Sequence, residues 1–382
     1  MFSERIKKIT SAVFALLLLS FPAFQIKAQS GGQKRNGVEI VKNEAEKRVD
    51  VLIDGEPFTA YIWGESLKKP ILFPIRSARG TIITRGFPLE PRAGESVDHP
   101  HQAGSWLNYG DVNGVDFWNN SIYRTDEEAK RMGTIAHRRI ITAESGKKSG
   151  RLKVEADWLM PDGKTILREK TEFVFSGKKD RRSVDRTTTL TALDQKVVFA
   201  DSKEGFFGLR VRRELEQPAA KPILLTGDDG KPSEKPVLDN RHVTGEFHSS
   251  ERKTGDDVWG TRAKWAALSG RVENEFITIA IFDDPANIGF PTYWMARGYG
   301  LFAANPLGRK AFSTERKESP VTELNFSLEP NRSVTFNYRL LIFSEKLTPE
   351  QIEKLTGKSE KVKREISGFL SFLFWWKYLP EQ

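Results

Sequence analysis

The chain has 382 residues and a formal net charge of +9, with 60 basic and 51 acidic residues interspersed along it. It contains no cysteine, which excludes disulfide bonds, thiolate metal sites and a lipid anchor on cysteine. It also lacks the basic stripe and the motifs of nucleic-acid-binding folds, so we expect no DNA or RNA partner.

The first 28 residues have the pattern of a secretory signal peptide. Basic residues precede an apolar run over residues 12–24, and Ala28 follows as a small residue suited to cleavage. The apolar run is too short to be interpreted as a membrane span, although an uncleaved anchor is the alternative. We therefore expect a secreted or periplasmic bacterial protein that begins near Gln29 and has a flexible lead-in over residues 29–48.

Apolar and polar side chains alternate with a period of two over much of residues 49–346. The alternation at Val49, Val51 and Ile53, followed by Asp54-Gly55, predicts a β-hairpin. The sequence has no fixed repeat and no strand–helix rhythm, which disfavours a parallel α/β fold. We predict an all-β protein built as one large antiparallel β-sandwich with few short helices.

Two segments have helical signals and one has the composition of a long loop. Residues 127–132 predict a short helix, and Thr348 with Gln351 forms the N-terminal signature of another. The Pro- and Gly-rich stretch 217–240 predicts a surface loop. Residues 347–382 are expected to form a helical segment with an aromatic tail, which contacts a membrane surface or docks on the core.

Titratable and aromatic side chains are densest in residues 98–118. Several glycines and Pro100 predict that most of this stretch is loop, at the rim of a site for a sugar. The alternative is a packed Ω-loop whose aromatic side chains cover the core. The ligand-binding candidates in this stretch are Asp98, Trp106, Asn108 and Asp111.

His99 and His101 are one residue apart, and Pro100 between them favours extended backbone at His99. An extended segment would place both imidazoles on one face, as an acid/base couple or a metal site requires. We assign both as candidate catalytic residues that transfer protons or bind sugar hydroxyls. We expect no cofactor; a metal bound by the two histidines and a carboxylate is the alternative.

Glu204 is the third candidate catalytic residue, because it follows an apolar segment and has Lys203 and Arg210 nearby to hold it ionised as a base. The alternative is an ordinary surface ion pair. A second group of acidic and aromatic residues farther along the chain supplies further ligand-binding candidates. The alternative is that its acidic residues cap a turn and its aromatic residues fill the core. The remaining ligand-binding candidates are Arg210, Asp283, Tyr293, Trp294, Arg297 and Asn305.

Several spaced blocks between Val49 and Phe343 resemble the PmoA-like family of secreted β-proteins. The blocks are residues 84–88, 98–118, 203–211, 281–283, 291–294 and 299–308. The chain departs from the family pattern at Gln102, Ala103 and Asp284. By analogy, the resemblance implies the supersandwich of galactose mutarotases and polysaccharide lyases. The oxygenase that the family label names would need several membrane spans, which the sequence lacks.

The sequence has no Gly-x-Ser-x-Gly elbow, Walker loop or His-Glu-x-x-His motif, which excludes serine esterase, nucleotide and zincin interpretations. We predict a carbohydrate-active protein that acts on a glycan or small carbohydrate by acid/base chemistry of the lyase, epimerase or hydrolase type. A non-catalytic glycan-binding or envelope scaffold protein is the alternative. His99 or His101 is expected within reach of Glu204, with Arg210, Tyr293 or Arg297 bordering the same concavity.

Overall fold

A computed structural model describes residues 36–319 and 321–356, which lie in the compact unit Asn36–Gln382. The predicted signal peptide over 1–28, the lead-in up to residue 35 and the aromatic tail lie outside the described residues. None of the helices described is both long and apolar enough to span a bilayer.

The fold is all-β and is dominated by two large antiparallel sheets, as predicted. The first sheet contains, in spatial order, β1 (Val38–Asn43), β2 (Arg48–Ile53), β3 (Glu56–Ile62), β4 (Ile71–Leu72), β5 (Ser105–Tyr109), β11 (Gly205–Arg210), β16 (Leu301–Asn305) and β15 (Tyr293–Arg297). The second contains β12 (Glu246–Ser249), β13 (Trp265–Val272), β14 (Glu275–Asp283), β18 (Ser333–Phe343), β9 (Arg181–Ala192), β8 (Thr165–Lys178), β7 (Gly150–Leu159) and β6 (Thr134–Glu144).

The remaining elements are short. A small antiparallel pair joins β10 (Val197–Phe199) to β17 (Phe326–Leu328). The α-helices are α1 (Asp126–Ala129), α2 (Arg309–Glu315) and α3 (residues 349–356), and single 3₁₀ turns lie at Glu44–Glu46, Arg213–Leu215 and Gly255–Val258. The loop over 217–240 has no strand of its own, as expected from its composition.

Aromatic side chains from the two sheets interlock to form the core. Phe206 of β11 lies 4.4 Å from Phe336 of β18, measured between ring centres, and Phe207 stacks on Tyr338 at 5.1 Å. Burial of each large apolar side chain stabilises the fold by roughly 1.5–3 kcal/mol. The inner face of the first sheet therefore packs in the core. We call the opposite face the outer face and look for a functional site there.

The local sequence signals are confirmed where they concern turns and caps. Asp54 and Gly55 both have positive φ, 55° and 81°, as a two-residue hairpin turn between β2 and β3 requires. The backbone N–H of Thr348 donates to the Gln351 side chain at the start of α3, as predicted. The short helix predicted over 127–132 is α1, which covers Asp126–Ala129 and has a capping box of Thr125 and Glu128 that the sequence analysis did not predict.

The structure differs from the expectation of a flexible lead-in, and it adds one strand to the stretch 98–118, most of which is loop as predicted. Residues 38–43 form β1, because Val38 and Ile40 enter the core while the strand pairs with β2 along the sheet edge. Within 98–118, the five residues of β5 are all buried and pair with β11. Only the segments on either side of β5 are loop.

Candidate functional site

At the centre of the outer face, two small residues lie between two large ones. Across neighbouring strands, Trp106 pairs with Gly208, Gly208 with Ala303 and Ala303 with Met295. A Cβ atom on Gly208 would lie 2.7 Å from Cζ2 of Trp106, so only glycine lets the indole lie across β11. Loops and α2 surround this centre, and the candidate catalytic side chains project from them.

Two buried arginines hold the loop that carries the histidines. Arg85 donates to Oδ1 of Asp98 at 2.6 Å and to the backbone carbonyls of His99 and Gln102 at 3.0 and 3.1 Å. Arg210, at the end of β11, donates to the same Oδ1 and to Oε1 of Gln102, both at 2.6 Å. Both arginine side chains are 0% exposed. Since an arginine fork is rigid and always charged, this arrangement fixes the loop on the sheet.

Asp98 orients His99. Oδ2 of Asp98 lies 2.6 Å from Nδ1 of His99, whose ring stacks on Tyr299 with centres 5.0 Å apart and planes 3° from parallel. Burial alone would raise the pKa of Asp98, but Arg210, the hydrogen bond with His99 and Arg85 outweigh it and hold the pKa well below its usual range. An ionised carboxylate only accepts hydrogen bonds, so Nδ1 donates to Asp98, and Nε2 is the ring nitrogen that faces away from this bond. The imidazole is 41% exposed and therefore accessible to a ligand.

The two histidines do not lie on one extended face, and this expectation was wrong. His99 has φ of 43°, and the N–H of Gln102 donates to the carbonyl of His99 at 2.9 Å, which closes a turn over Pro100 and His101. Proline favours the second position of such a turn. The two rings meet edge to face at 76°, with their centres 5.6 Å apart.

His101 is buried on the far side of this turn. Within the described part of the chain, neither of its ring nitrogens has a hydrogen-bond partner. Burial lowers its pKa to about 2, with the positive charge of Lys69 as the next cause, so the ring is neutral at pH 7. Lys69 donates from Nζ to the backbone carbonyl of His101 at 2.6 Å.

Glu204 immediately precedes β11 at the opposite end of the strand from Arg210. Burial raises the pKa of its carboxyl group, and the charges of Lys203 and Arg297 oppose this, as a proton on His99 would. His99 and Glu204 thus lie within electrostatic range of each other. The expectation that Lys203 and Arg210 hold Glu204 ionised as a base was wrong, because burial raises its pKa, Lys203 bonds to Glu315 of α2 and Arg210 bonds to Asp98.

Arg297 and Tyr299 border the same region. Arg297 lies 4.0 Å from Glu315, and its guanidinium stacks 4.2 Å from the ring centre of Trp259. Tyr299 receives the Arg210 guanidinium on its ring at 4.8 Å and shares a hydrogen bond with Gln102. Gln102, one of the positions that depart from the resembling family, is therefore part of the framework that orients this site.

Three further outer-face candidates are buried and serve the fold. Nε1 of Trp106 donates to Asn108 at 3.0 Å, and Nδ2 of Asn108 donates to the carbonyl of Phe117 at 2.6 Å. Asn305 donates to the carbonyl of Lys203 at 2.8 Å, which positions the segment that ends at Glu204. Their expected direct contact with a ligand is not possible in this arrangement, because all three are 0% exposed.

Four candidates do not reach the His99 region. Tyr293 stacks on Phe312 of α2 at 5.1 Å. Trp294 points to the inner face and donates to the carbonyl of Ala263. Asp283 belongs to the second sheet, where it accepts hydrogen bonds from Asn287 and Thr292, and burial raises its pKa to about 7. Asp111 closes a turn by accepting from the N–H of Gly114.

The sequence reasoning did not identify Arg85, Tyr299 or Lys69 as site residues. Arg85 and Tyr299 belong to blocks 84–88 and 299–308, but nothing in their immediate neighbours indicates contact with Asp98 or His99. Among the described residues, no group of three histidine, aspartate or glutamate side chains is arranged to hold a metal ion.

Similar solved structures include three proteins named for sugar chemistry. They are the galactosidase domain of an alpha-galactosidase–sucrose kinase (8% identity, TM-score 0.38, 81% of this chain and 42% of that chain), a putative aldose 1-epimerase from Escherichia coli K12 (12%, 0.29, 81% and 99%) and a galactose mutarotase related enzyme from Lactobacillus acidophilus (8%, 0.31, 81% and 98%). At these TM-scores we take no residue role or substrate from them. No curated protein matches the sequence.

The family is defined by a sequence model that matches residues 48–357. That model is DUF6807, described as a family of unknown function, so the PmoA-like assignment was wrong. The match covers more than half of the chain, and the protein belongs to the DUF6807 family.

Proposed function

We propose that the outer face around His99 and Glu204 is the active site of a carbohydrate-active enzyme that transfers a proton at a sugar carbon. One observation carries this proposal. His99 is oriented by an aspartate at 2.6 Å, stacked on Tyr299 and still 41% exposed. An imidazole that is so constrained and yet accessible has the arrangement of a general base.

The two titratable groups are suited to opposite roles. In its neutral form His99 accepts a proton at Nε2, and the carboxylate of Asp98 stabilises the imidazolium that forms. Glu204 has a raised pKa, so it retains a proton more readily than an ordinary glutamate and can act as the acid. When the environments of two neighbouring groups shift their pKa values differently, the difference is a common basis for assigning the acid and the base.

The carboxylates favour lyase- or epimerase-type proton transfer over hydrolysis. Glycoside hydrolysis generally uses two carboxyl groups that flank the bond to be cleaved. Asp98 is engaged by Arg85 and Arg210, and Asp116 accepts hydrogen bonds from the N–H groups of Trp118 and Asn119. Glu315 is paired with Lys203, so among the described residues these carboxyl groups near Glu204 are all engaged by other groups.

A sugar acid is the substrate class that best fits the charges. The Arg297 guanidinium borders the site, and its stacking on Trp259 provides a flat, positively charged surface. A carboxylate next to the reacting carbon acidifies its hydrogen, and an arginine can bind that carboxylate through two hydrogen bonds. The net charge of +9 would also attract an acidic glycan.

A non-catalytic glycan-binding protein is the second candidate, and the size of the cavity beside His101 favours it. That cavity measures about 20 Å³, which accommodates a water molecule rather than a sugar ring. On this alternative the exposed His99 and Arg297 would bind a glycan at the surface without reaction. We further propose, from residues 1–28, that the protein acts in the periplasm or outside the cell.

The test is an incubation of the purified protein with a panel of neutral and uronic-acid glycans. New ultraviolet absorbance reports lyase products, and NMR spectroscopy reports epimerised sugars. We expect His99→Gln and Glu204→Gln each to lower turnover about a hundredfold or more, while the exposed-site controls His242→Gln and Glu329→Gln retain it. Binding by the wild type without turnover, weakened by His99→Gln, would establish the binding protein instead.

A further inference from the structure

The side of the second sheet that faces away from the core carries a dense group of charged residues. They lie on the neighbouring strands β6, β7 and β8, where the residues that alternate with them, such as Leu152, Val154 and Phe173, enter the core. Successive side chains of a strand point to opposite faces, so the charged ones project into solvent. We call these ion-paired residues the cationic cluster; they are Arg138, Arg139, Arg151, Lys153, Glu155, Asp157, Arg168, Lys170 and Glu172.

One nearly buried carboxylate contacts four of the six basic groups. The side chain of Glu155 is 3% exposed, and its carboxylate lies 3.1 Å from Nε of Arg138 and 3.3 Å from Nε of Arg139. A register shift in β6 brings these two consecutive arginines to the same partner. Arg168 and Lys170 follow at 3.5 and 4.0 Å. A single negative charge therefore lies beneath four positive ones.

The other two acidic side chains are also poorly exposed. Asp157 and Glu172 are 14% and 30% exposed, whereas the six basic side chains range from 26% to 62%. Six positive and three negative charges leave an excess of three, or two with Glu144, which pairs with Arg151 in the register. Because the carboxylates lie below the bases, a ligand at this surface meets mainly guanidinium and ammonium groups.

A ladder of hydroxyl and amide side chains continues the same surface. On β9 and β18, three exposed cross-strand pairs are hydrogen-bonded at 2.8–2.9 Å: Thr187 with Asn337, Thr189 with Thr335, and Thr191 with Ser333. The ladder adjoins the cationic cluster, since Lys170 pairs with Thr189. Five strands about 4.8 Å apart make the combined surface roughly 19 Å wide. Among the described residues, none of the exposed large apolar side chains lies on β7, β8, β9 or β18.

We propose that this surface binds an acidic polysaccharide, on the side of the sandwich opposite His99. The exposed guanidinium groups bind its carboxylate or sulfate groups, and the ladder hydrogen-bonds its hydroxyl groups. Single-stranded nucleic acids and bilayers are usually bound through aromatic or apolar side chains, and a flat sheet face does not enter the groove of a duplex. This binding does not depend on the reaction proposed at His99.

The test measures binding by isothermal titration calorimetry, using polygalacturonate and dextran sulfate as acidic polymers and unmodified dextran as the neutral one. Every protein carries His99→Gln, so that turnover does not consume a polymer. The cluster variant combines Arg139→Gln, Lys153→Gln and Lys170→Gln, and each acidic residue of the cluster keeps at least one basic partner. The control variant combines Arg241→Gln, Lys253→Gln and Lys264→Gln, which removes the same charge from exposed positions beside β12 and β13, at the opposite edge of the sheet.

We expect at least one acidic polymer to bind, and the one that binds distinguishes carboxylate from sulfate recognition. The cluster variant should raise its Kd about tenfold or more and the control variant less than about twofold, and added salt should weaken the binding. No binding of either acidic polymer, equal binding of dextran, equal losses in the two variants or binding that is insensitive to salt would overturn the proposal. Tighter binding of single-stranded DNA, lost in the cluster variant, would show that the partner is a nucleic acid instead. Because no turnover is measured, the result is separate from the test of His99 as a catalytic residue.

Discussion

Replacing Asp98 with asparagine removes the negative charge that Arg85 and Arg210 both contact at 2.6 Å and leaves Arg210 with Glu216 at 3.9 Å. Both guanidinium groups stay buried, and loss of one partner from a buried pair typically costs about 3–5 kcal/mol. Asp98 itself is 38% exposed and asparagine keeps one acceptor oxygen, so we reduce the expected cost to about 2–4 kcal/mol. The variant should fold, with a lower free energy of unfolding at pH 7.

The pH dependence gives this prediction its sign. The pKa of Asp98 is depressed in the folded protein, so its stabilisation is present above the pKa of the unfolded chain, about 3.9, and declines below it. The difference between wild type and Asp98→Asn should therefore shrink by about 1.3 kcal/mol between pH 7 and pH 3.

Urea denaturation followed by circular dichroism measures both quantities. Asp111→Asn is the matched control, because Asp111 lies in the same stretch but accepts a backbone hydrogen bond in a turn; we expect it to cost below about 1 kcal/mol. The role given to the two arginines would be refuted if the free energy of unfolding of Asp98→Asn at pH 7 lay within about 0.5 kcal/mol of the wild-type value, which is the usual effect of a surface substitution. A stability difference that grows toward pH 3 would refute it as well.

Three further predictions concern neighbouring positions. His101→Phe should leave the free energy of unfolding unchanged or raise it by up to about 1 kcal/mol, because it removes two unpaired buried nitrogens; a loss above that amount in urea denaturation would show that they have partners. Gly208→Val should cost about 1–3 kcal/mol, since its Cβ would meet the Trp106 ring, and unchanged thermal unfolding would contradict that packing. Glu204→Gln should raise the free energy of unfolding at pH 7 by on the order of 1 kcal/mol. The raised pKa of Glu204 means that its charged form costs stability at any pH above the ordinary pKa of glutamate. This gain should vanish near pH 4, and a gain that is independent of pH would rule out charge burial as its cause.

The parts of the fold that were predicted depend on neighbouring residues. The hairpin turn at Asp54-Gly55 requires two positive φ values, and the cap at Thr348 requires an acceptor three residues later; both rules are local. Strand β5 was missed because its hydrogen-bond partner β11 lies about a hundred residues farther along the chain. Short strands rich in glycine and polar residues at their ends carry a weak periodic signal.

The sequence predicted only part of the candidate site. Tyr299 joins His99 to Arg210, and both His99 and Arg297 lie within electrostatic range of Glu204, because neighbouring strands bring distant residues together. Arg210, expected to bind a ligand, is 0% exposed and supports the loop instead. Trp294 was grouped with them by sequence, although adjacent residues of a strand point to opposite faces. The Arg85–Asp98–Arg210 arrangement joins three separate segments, and the sequence has no local feature that predicts it.

The most direct test of the His99 and Glu204 assignment is proton NMR of a sugar-acid panel incubated with the protein in D₂O. Abstraction of a carbon-bound proton removes its signal, whether the product is an epimer or an unsaturated sugar. We predict loss of one such signal with the wild type and with His242→Gln, and a rate about a hundredfold lower with His99→Gln and Glu204→Gln. Equal loss with His99→Gln, or no loss with the wild type on any sugar acid, would contradict the assignment.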